Sequence, residues 1–268
     1  MPWLIRAYLA FAAVQGLGIG LTGMLLPAEM QIPLRITPLN ARFVAALYIA
    51  GGVGVLWGAI ARRREEARLF VLSFGFATLL ILILTIGHWS DFMADPLPHR
   101  PIWIFDYVVD PLLALVIVPL YGLWPPRVGT RHRLTPLLVV EGSVLGALGL
   151  ALLFFPDAVA PGWPWALPPL LGQLYACFFL TFALGALLAA RETEPRTITG
   201  FTLSSLVLAV LVLAASFLHL DRFKPEPVMW VWFAAWGIGA CALLAALLVR
   251  RASTLPEPAR VVAERIEA

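Results

Sequence analysis

Residues 41–61 read ARFVAALYIAGGVGVLWGAIA, twenty-one residues that carry a single charge, Arg42. Polar and apolar positions do not alternate, so the stretch is not a half-buried strand. A continuous apolar run of this length matches the roughly 20 helical residues that cross a lipid core of about 30 Å. In lipid every backbone polar group needs a partner, which a helix supplies from within the segment. Seven further stretches repeat the pattern, near 3–25, 68–88, 102–124, 135–155, 168–190, 199–219 and 228–249.

Composition agrees. The chain has 268 residues, 61% hydrophobic and 13% charged, with a mean hydropathy of +0.88. A soluble domain carries about a quarter charged residues. Little chain remains outside the eight stretches, so no separate soluble domain fits. The fold class is an all-α integral membrane protein with eight transmembrane helices. Arg6 precedes an apolar run too long for a signal-peptide core, and the first stretch reads as the first membrane helix.

Basic residues gather on alternate connections. Arg62, Arg63, Arg64 and Arg68 flank the second, Arg127, Arg131 and Arg133 the fourth, and Arg191 and Arg196 the sixth. Arg250, Arg251, Arg260 and Arg265 follow the last stretch. Positive residues stay on the cytoplasmic side. The expectation is a multi-pass protein of the inner (cytoplasmic) membrane with both termini in the cytoplasm. The basic loops lack interleaved aromatic residues, so they do not read as nucleic-acid sites.

The chain also matches itself at a shift of 131 residues. Pro33 meets Pro164, Pro38 meets Pro169, Gly54 meets Gly185, Ser73 meets Ser204, His88 meets His219 and Phe92 meets Phe223. With a short gap, Trp103 meets Trp230, which sets Phe233 and Gly237 opposite Asp106 and Asp110. Four spans per copy return the chain to its starting side, so the two copies point the same way. The predicted organisation is two parallel four-helix repeats, 1–128 and 129–251, followed by a cytoplasmic tail, 252–268.

The residues that carry the repeat also carry a resemblance. TPLNARFVAALYIAGGVGVLWGA, followed by a helix ending in GHWSDF, resembles the small four-helix membrane proteins of the DoxX-like group. The second half, through LHLDRF, looks like a degenerate copy, the whole being a tandem duplication. Gln173 stands where the first copy has Arg42. The resemblance implies a four-helix unit and, for some members, quinone-linked or redox roles.

Glycines four apart let helices approach closely in lipid. Gly16, Gly20 and Gly23 in the first span, and Gly54 and Gly58 in the second, predict close packing within each unit, with a dimer face as the alternative. Trp89, Trp103, Trp163, Trp165, Trp230 and Trp232 all fall near the predicted outer boundary. They read as an aromatic belt at the headgroup layer, or as a docking surface for another membrane subunit or a lipid-soluble ligand.

Asp106 and Asp110 are the most informative charges. Four residues apart, they share one helix face, with Tyr107 between them. An aspartate deep in a spanning helix costs about 2.5–3.5 kcal/mol on insertion scales and normally faces protein or water with a partner. Two readings stand. One is ion pairing with Arg42, Arg35 or Arg100. The other is an outward-opening polar pocket of Asp106, Asp110, Arg42, His88 and Tyr107. Glu141 is a second intramembrane acid. Gln15, Ser143 and Tyr107 are the only polar bridges between it and Asp110. His88 and His219 each stand near an acid, Asp91 and Asp221, and a haem or chlorin held by the pair is the cofactor reading, with quinone the other. No resident cofactor and no metal site is predicted, since His and Asp of each copy are too few to close a coordination shell. Cys177 and Cys241 read as small apolar residues.

No phosphate-binding loop, zinc motif or nucleophile elbow occurs in the chain, which disfavours an enzyme. Three functional readings remain. The first is an accessory or structural subunit of a membrane assembly, with the bilayer and other membrane subunits as partners. The second is a quinone-linked or redox membrane component. The third is a small-solute or proton-coupled transporter.

Overall fold

The structure is a computed structural model, and it describes residues 1–94, 100–125, 129, 131–225 and 227–254. Arg127, Arg260, Arg265 and most of the predicted tail lie outside the described residues. Ten α-helices follow one another: α1 Trp3–Leu25, α2 Pro38–Ala59, α3 Arg64–Gly87, α4 Trp89–Met93, α5 Arg100–Tyr121, α6 Thr135–Phe154, α7 Pro156–Val159, α8 Pro169–Ala189, α9 Pro195–Phe217 and α10 Pro227–Thr254. Eight of them, all but α4 and α7, are long and apolar enough to cross a membrane. The protein is an all-helical, multi-pass membrane protein by this measure, and no strand occurs among the described residues.

Proline opens several of the spans. Pro38, Pro169, Pro195 and Pro227 each begin a helix, where a missing N–H costs nothing and the fixed φ suits the first turn. Thr37 adds a cap to α2, its hydroxyl accepting from the Asn40 amide at 3.4 Å.

The helices pair in a regular way. α1 lies on α2 and α6 on α8; α3 lies on α5 and α9 on α10; across the chain α2 packs on α9 and α3 on α8. α2 is therefore central, with 78% of its apolar window buried, whereas α10 has 17% and faces outward. Glycines set the closest approaches. A Cβ at Gly20 would lie 2.9 Å from the Ile49 nitrogen, and one at Gly149 would lie 3.2 Å from the Leu180 nitrogen. Both substitutions would push backbones apart. Gly20 and Gly149 thus serve the α1–α2 and α6–α8 contacts, as the spacing of the first three glycines predicts.

At the end where the chain starts, charged residues tie the two halves together. Arg63 meets Glu194 at 2.7 Å and Glu66 at 3.2 Å, and Arg196 meets Glu66 at 3.6 Å. Arg68 grips Glu192 with two nitrogens, Nε at 3.0 Å from Oε2 and Nη2 on Oε1. The Thr197 hydroxyl donates to the Glu66 carbonyl at 3.0 Å.

The tryptophans at the opposite end depart from the belt expectation. Trp89 and Trp230 are exposed, but Trp103, Trp163, Trp165 and Trp232 are buried, Trp165 to 1% exposure. Phe43 is ringed by Trp163, Trp165, Tyr175, Phe179 and Trp232, with centroids 4.6–6.3 Å away. Proline-rich connections fold these indoles back onto α2 and α8, where each buries far more apolar surface than in the headgroup layer. Most of the predicted belt is core.

One hydrogen bond occurs twice. Trp103 Nε1 donates to Thr85 Oγ1 at 3.1 Å, and Trp232 Nε1 donates to Ser216 Oγ at 3.0 Å. Thr85 and Ser216 stand 131 residues apart. The counterpart of Trp103 is therefore Trp232 rather than Trp230, which sets Ala235 and Gly239, not Phe233 and Gly237, opposite Asp106 and Asp110.

Candidate functional site: an acid-lined cavity between α1, α2, α3 and α5

The face of α5 that carries Trp103, Asp106, Tyr107 and Asp110 has the 3–4 spacing of one helical stripe, and all four line a cavity of about 120 Å³. Each is held. Trp103 is fixed by Thr85 and stacks on Phe92, with centroids 5.7 Å apart. The Tyr107 and Tyr48 hydroxyls stand 2.5 Å apart. Gln15 of α1 hydrogen-bonds Asp106, and the Tyr8 hydroxyl donates to the Asp110 carbonyl at 3.0 Å. The opening on the α2 side is made by Gly51 and Gly52.

Asp110 is the anomaly. It is 3% exposed, and its Oδ1 has no hydrogen-bond partner. Ser73 Oγ, also on the cavity wall, has none either. Buried polar groups in native proteins are nearly always satisfied, so an orphan on a cavity wall calls for a missing partner. A single water needs roughly 10–15 Å³ on the same measure, so the cavity holds a body much larger than one water.

The predicted ion pairs do not form. Arg42 instead donates from Nε to the Met24 carbonyl at 3.1 Å and from Nη1 to His219 Nε2 at 2.6 Å. Arg100 donates to the Met93 carbonyl at 3.0 Å. Among the described residues no ion pair reaches Asp106 or Asp110. Of the five residues grouped by sequence, the structure brings together Asp106, Tyr107 and Asp110 and leaves Arg42 and His88 off the cavity wall. His88 Nδ1 lies 3.4 Å from Asp91 at the surface. Asp221 pairs with Arg222 at 3.0 Å. The two histidines are thus engaged with different partners. Glu141 faces Ser205 of α9, away from the cavity, and its Oε2 lacks a hydrogen-bond partner. Among the described residues no group of three or more metal-ligating side chains occurs.

Tyr48, Gly51, Gly52 and Val55 on α2 complete the wall and were not singled out from sequence. Their 3–4 spacing was the available signal, masked because every neighbour in α2 is also apolar.

The Arg42–His219 bond has a pH signature. An arginine can only donate, so His219 accepts at Nε2 as a neutral ring. Burial, and then the Arg42 guanidinium, hold His219 below the usual imidazole range, with Asp221 pulling the other way. A depressed folded value means that the unfolded chain takes up more protons, so stability is full above the unfolded value near 6.5 and falls as pH drops through it. Thermal unfolding in detergent at pH 7.5 and 5.5 should show a lower midpoint in acid, and His219→Gln should lose part of that difference. An equal acid shift in the variant would place the effect elsewhere.

Comparison with protein-family models, with curated proteins and with solved structures finds no match to this chain.

Proposed function

We propose that this protein is a membrane-embedded binding protein for a lipid-soluble small molecule whose polar head donates hydrogen bonds to Asp110. The observation that carries the reading is the orphaned Asp110 Oδ1 on the wall of a largely apolar cavity. Ligand pockets combine apolar walls with a few convergent polar groups, and this cavity has that character.

The internal register supports a single site. At a shift of 131, Phe182 replaces Gly51 and Phe179 replaces Tyr48. On the Trp103–Trp232 equivalence, Ala235 and Gly239 replace the two aspartates. In this reading the chain is a tandem duplication of a DoxX-like unit, residues 1–128 and 129–251. One copy keeps an open, acidic cavity and the other is filled with aromatic rings. The quinone-linked alternative falls within the same proposal, since a quinol hydroxyl is such a donor.

The accessory-subunit reading relied on an outer aromatic face and on lipid-facing glycines. The ringed indoles and Gly20 are spent inside the bundle, so ligand binding takes precedence, alone or within an assembly. A transport route would need to link Asp110 to Glu141, which stands off the cavity.

The test is to fill the space. A Cβ at Gly51 meets nothing within 4 Å, so Gly51→Phe can project its ring into the cavity as Phe182 does in the other half. Mass analysis of molecules extracted from gently purified protein should show a lipophilic species with wild type that is depleted at least about ten-fold with Gly51→Phe, a loss of binding worth 1.4 kcal/mol or more. The unfolding midpoint should stay within the range of a tolerated surface change. Equal extracts from both proteins would overturn the proposal.

A further inference from the structure

The cavity has a chemical bias that narrows the class of molecule it takes. Its polar atoms are oxygens: the Asp106 and Asp110 carboxylates, the Tyr48 and Tyr107 hydroxyls and the Ser73 hydroxyl. The amide of Gln15, the indole of Trp103 and the Tyr hydroxyls are already committed to protein partners. No arginine, lysine or histidine lines the wall. Two carboxylates one turn apart therefore face the same space without a cation among the described residues. Separately, the wall is rich in aromatic rings, among them Phe70, Phe74, Phe178 and Phe182. Aromatic faces attract cations within about 6 Å of the ring, and cages of such rings recognise organic ammonium groups. Anionic oxygens and π faces converge on one class of guest. The size of the cavity points the same way, since a bare metal ion would leave most of 120 Å³ empty.

Resting on the binding function proposed above, we infer that the ligand is a lipophilic ammonium compound, an amine or quaternary amine on an apolar body, whose charge sits against Asp110 and Asp106 while its body lies among the rings. Gly51 and Gly52 leave room for the body on the α2 side. The filled second half, with Phe182 in place of Gly51 and no aspartates opposite Asp106 and Asp110, holds no such guest.

The experiment compares two probes of equal shape. 4-Phenylbutylamine and 4-phenylbutanol are titrated calorimetrically into the full chain in a nonionic detergent. The amine is expected to bind wild type about ten-fold or more tightly than the alcohol, as a charge-assisted bond requires over a neutral one. Asp110→Asn should cut amine affinity about ten-fold and leave the alcohol unchanged, which also reports that the variant is folded. Asp106→Asn serves as the second variant and should weaken the amine in the same direction. Equal binding of both probes to wild type would overturn the ammonium assignment and leave the lipid-soluble ligand standing as a neutral donor. Displacement of the amine by sodium, but not by N-methylglucamine, would assign the acids to a metal cation and overturn it too. Binding of neither probe, together with identical extracts from wild type and Gly51→Phe, would remove the binding function itself.

Discussion

Glu192→Ala is expected to cost about 3–5 kcal/mol of stability, the penalty for breaking a buried ion pair by removing one partner. The Glu192 side chain is 3% exposed and that of Arg68 is 14% exposed. Glu192 accepts both Arg68 nitrogens and also the Thr193 amide at 2.8 Å and the Glu194 amide at 3.3 Å. Alanine leaves a guanidinium and two amides without their acceptor, at a junction where α3 meets the second half. The measurement is cooperative unfolding in mixed micelles. Glu65→Ala is the internal control. Glu65 pairs with Arg64 across largely exposed side chains, 40% and 53%, and exposed pairs contribute about 0–1 kcal/mol. Similar losses for the two variants would mean that the Arg68–Glu192 junction bears no special share of the fold.

Asn40→Ala is expected to be nearly as damaging, at about 2–5 kcal/mol. Asn40 Oδ1 accepts from Trp165 Nε1 at 2.7 Å and from the Tyr175 hydroxyl at 2.8 Å, both buried. Removing the acceptor orphans two donors, each worth about 1–3 kcal/mol when left buried and unmade. Its Nδ2 also reaches the Ala166 carbonyl at 3.5 Å. These bonds hold the 160–168 connection down on α2, so the variant should show a lowered unfolding midpoint together with faster proteolysis near Trp163–Leu167. A lowered midpoint with unchanged cleavage would mean that the aromatic cluster alone retains the connection.

What was legible in the sequence follows the physics of lipid. The spans near 3–25, 135–155 and 168–190 agree with α1, α6 and α8 almost to the residue, because a bilayer leaves a long apolar run only one conformation. Start points at α2, α3 and α9 lie three or four residues earlier than the apolar pattern, at Pro38, Arg64 and Pro195, because proline and a charged first turn extend a helix beyond its greasy part. Helix packing was legible where glycine marked it, at Gly20. The site was legible only in its charges. Asp106 and Asp110 announce themselves by their cost in lipid, and Tyr107 by adjacency. Tyr48 and Ser73 do not, since in a membrane helix an apolar background hides which face points inward. Arg42 misled for a related reason. Its charge suggested an acid as partner, but the nearest acceptors in space are the end of α1 and a histidine 177 residues away.

The exchanged packing, α2 on α9 and α3 on α8, also has a consequence for how the chain is made. The ribosome delivers α2 early, yet its neighbour α9 ends at Phe217. Until then the most enclosed helix of the finished bundle must wait in the bilayer with that flank against lipid tails or the insertion machinery. Assembly is therefore a late event, gated by synthesis of the last quarter of the chain. A truncated transcript would leave behind inserted but unassembled helices, the kind of product that membrane quality-control proteases remove.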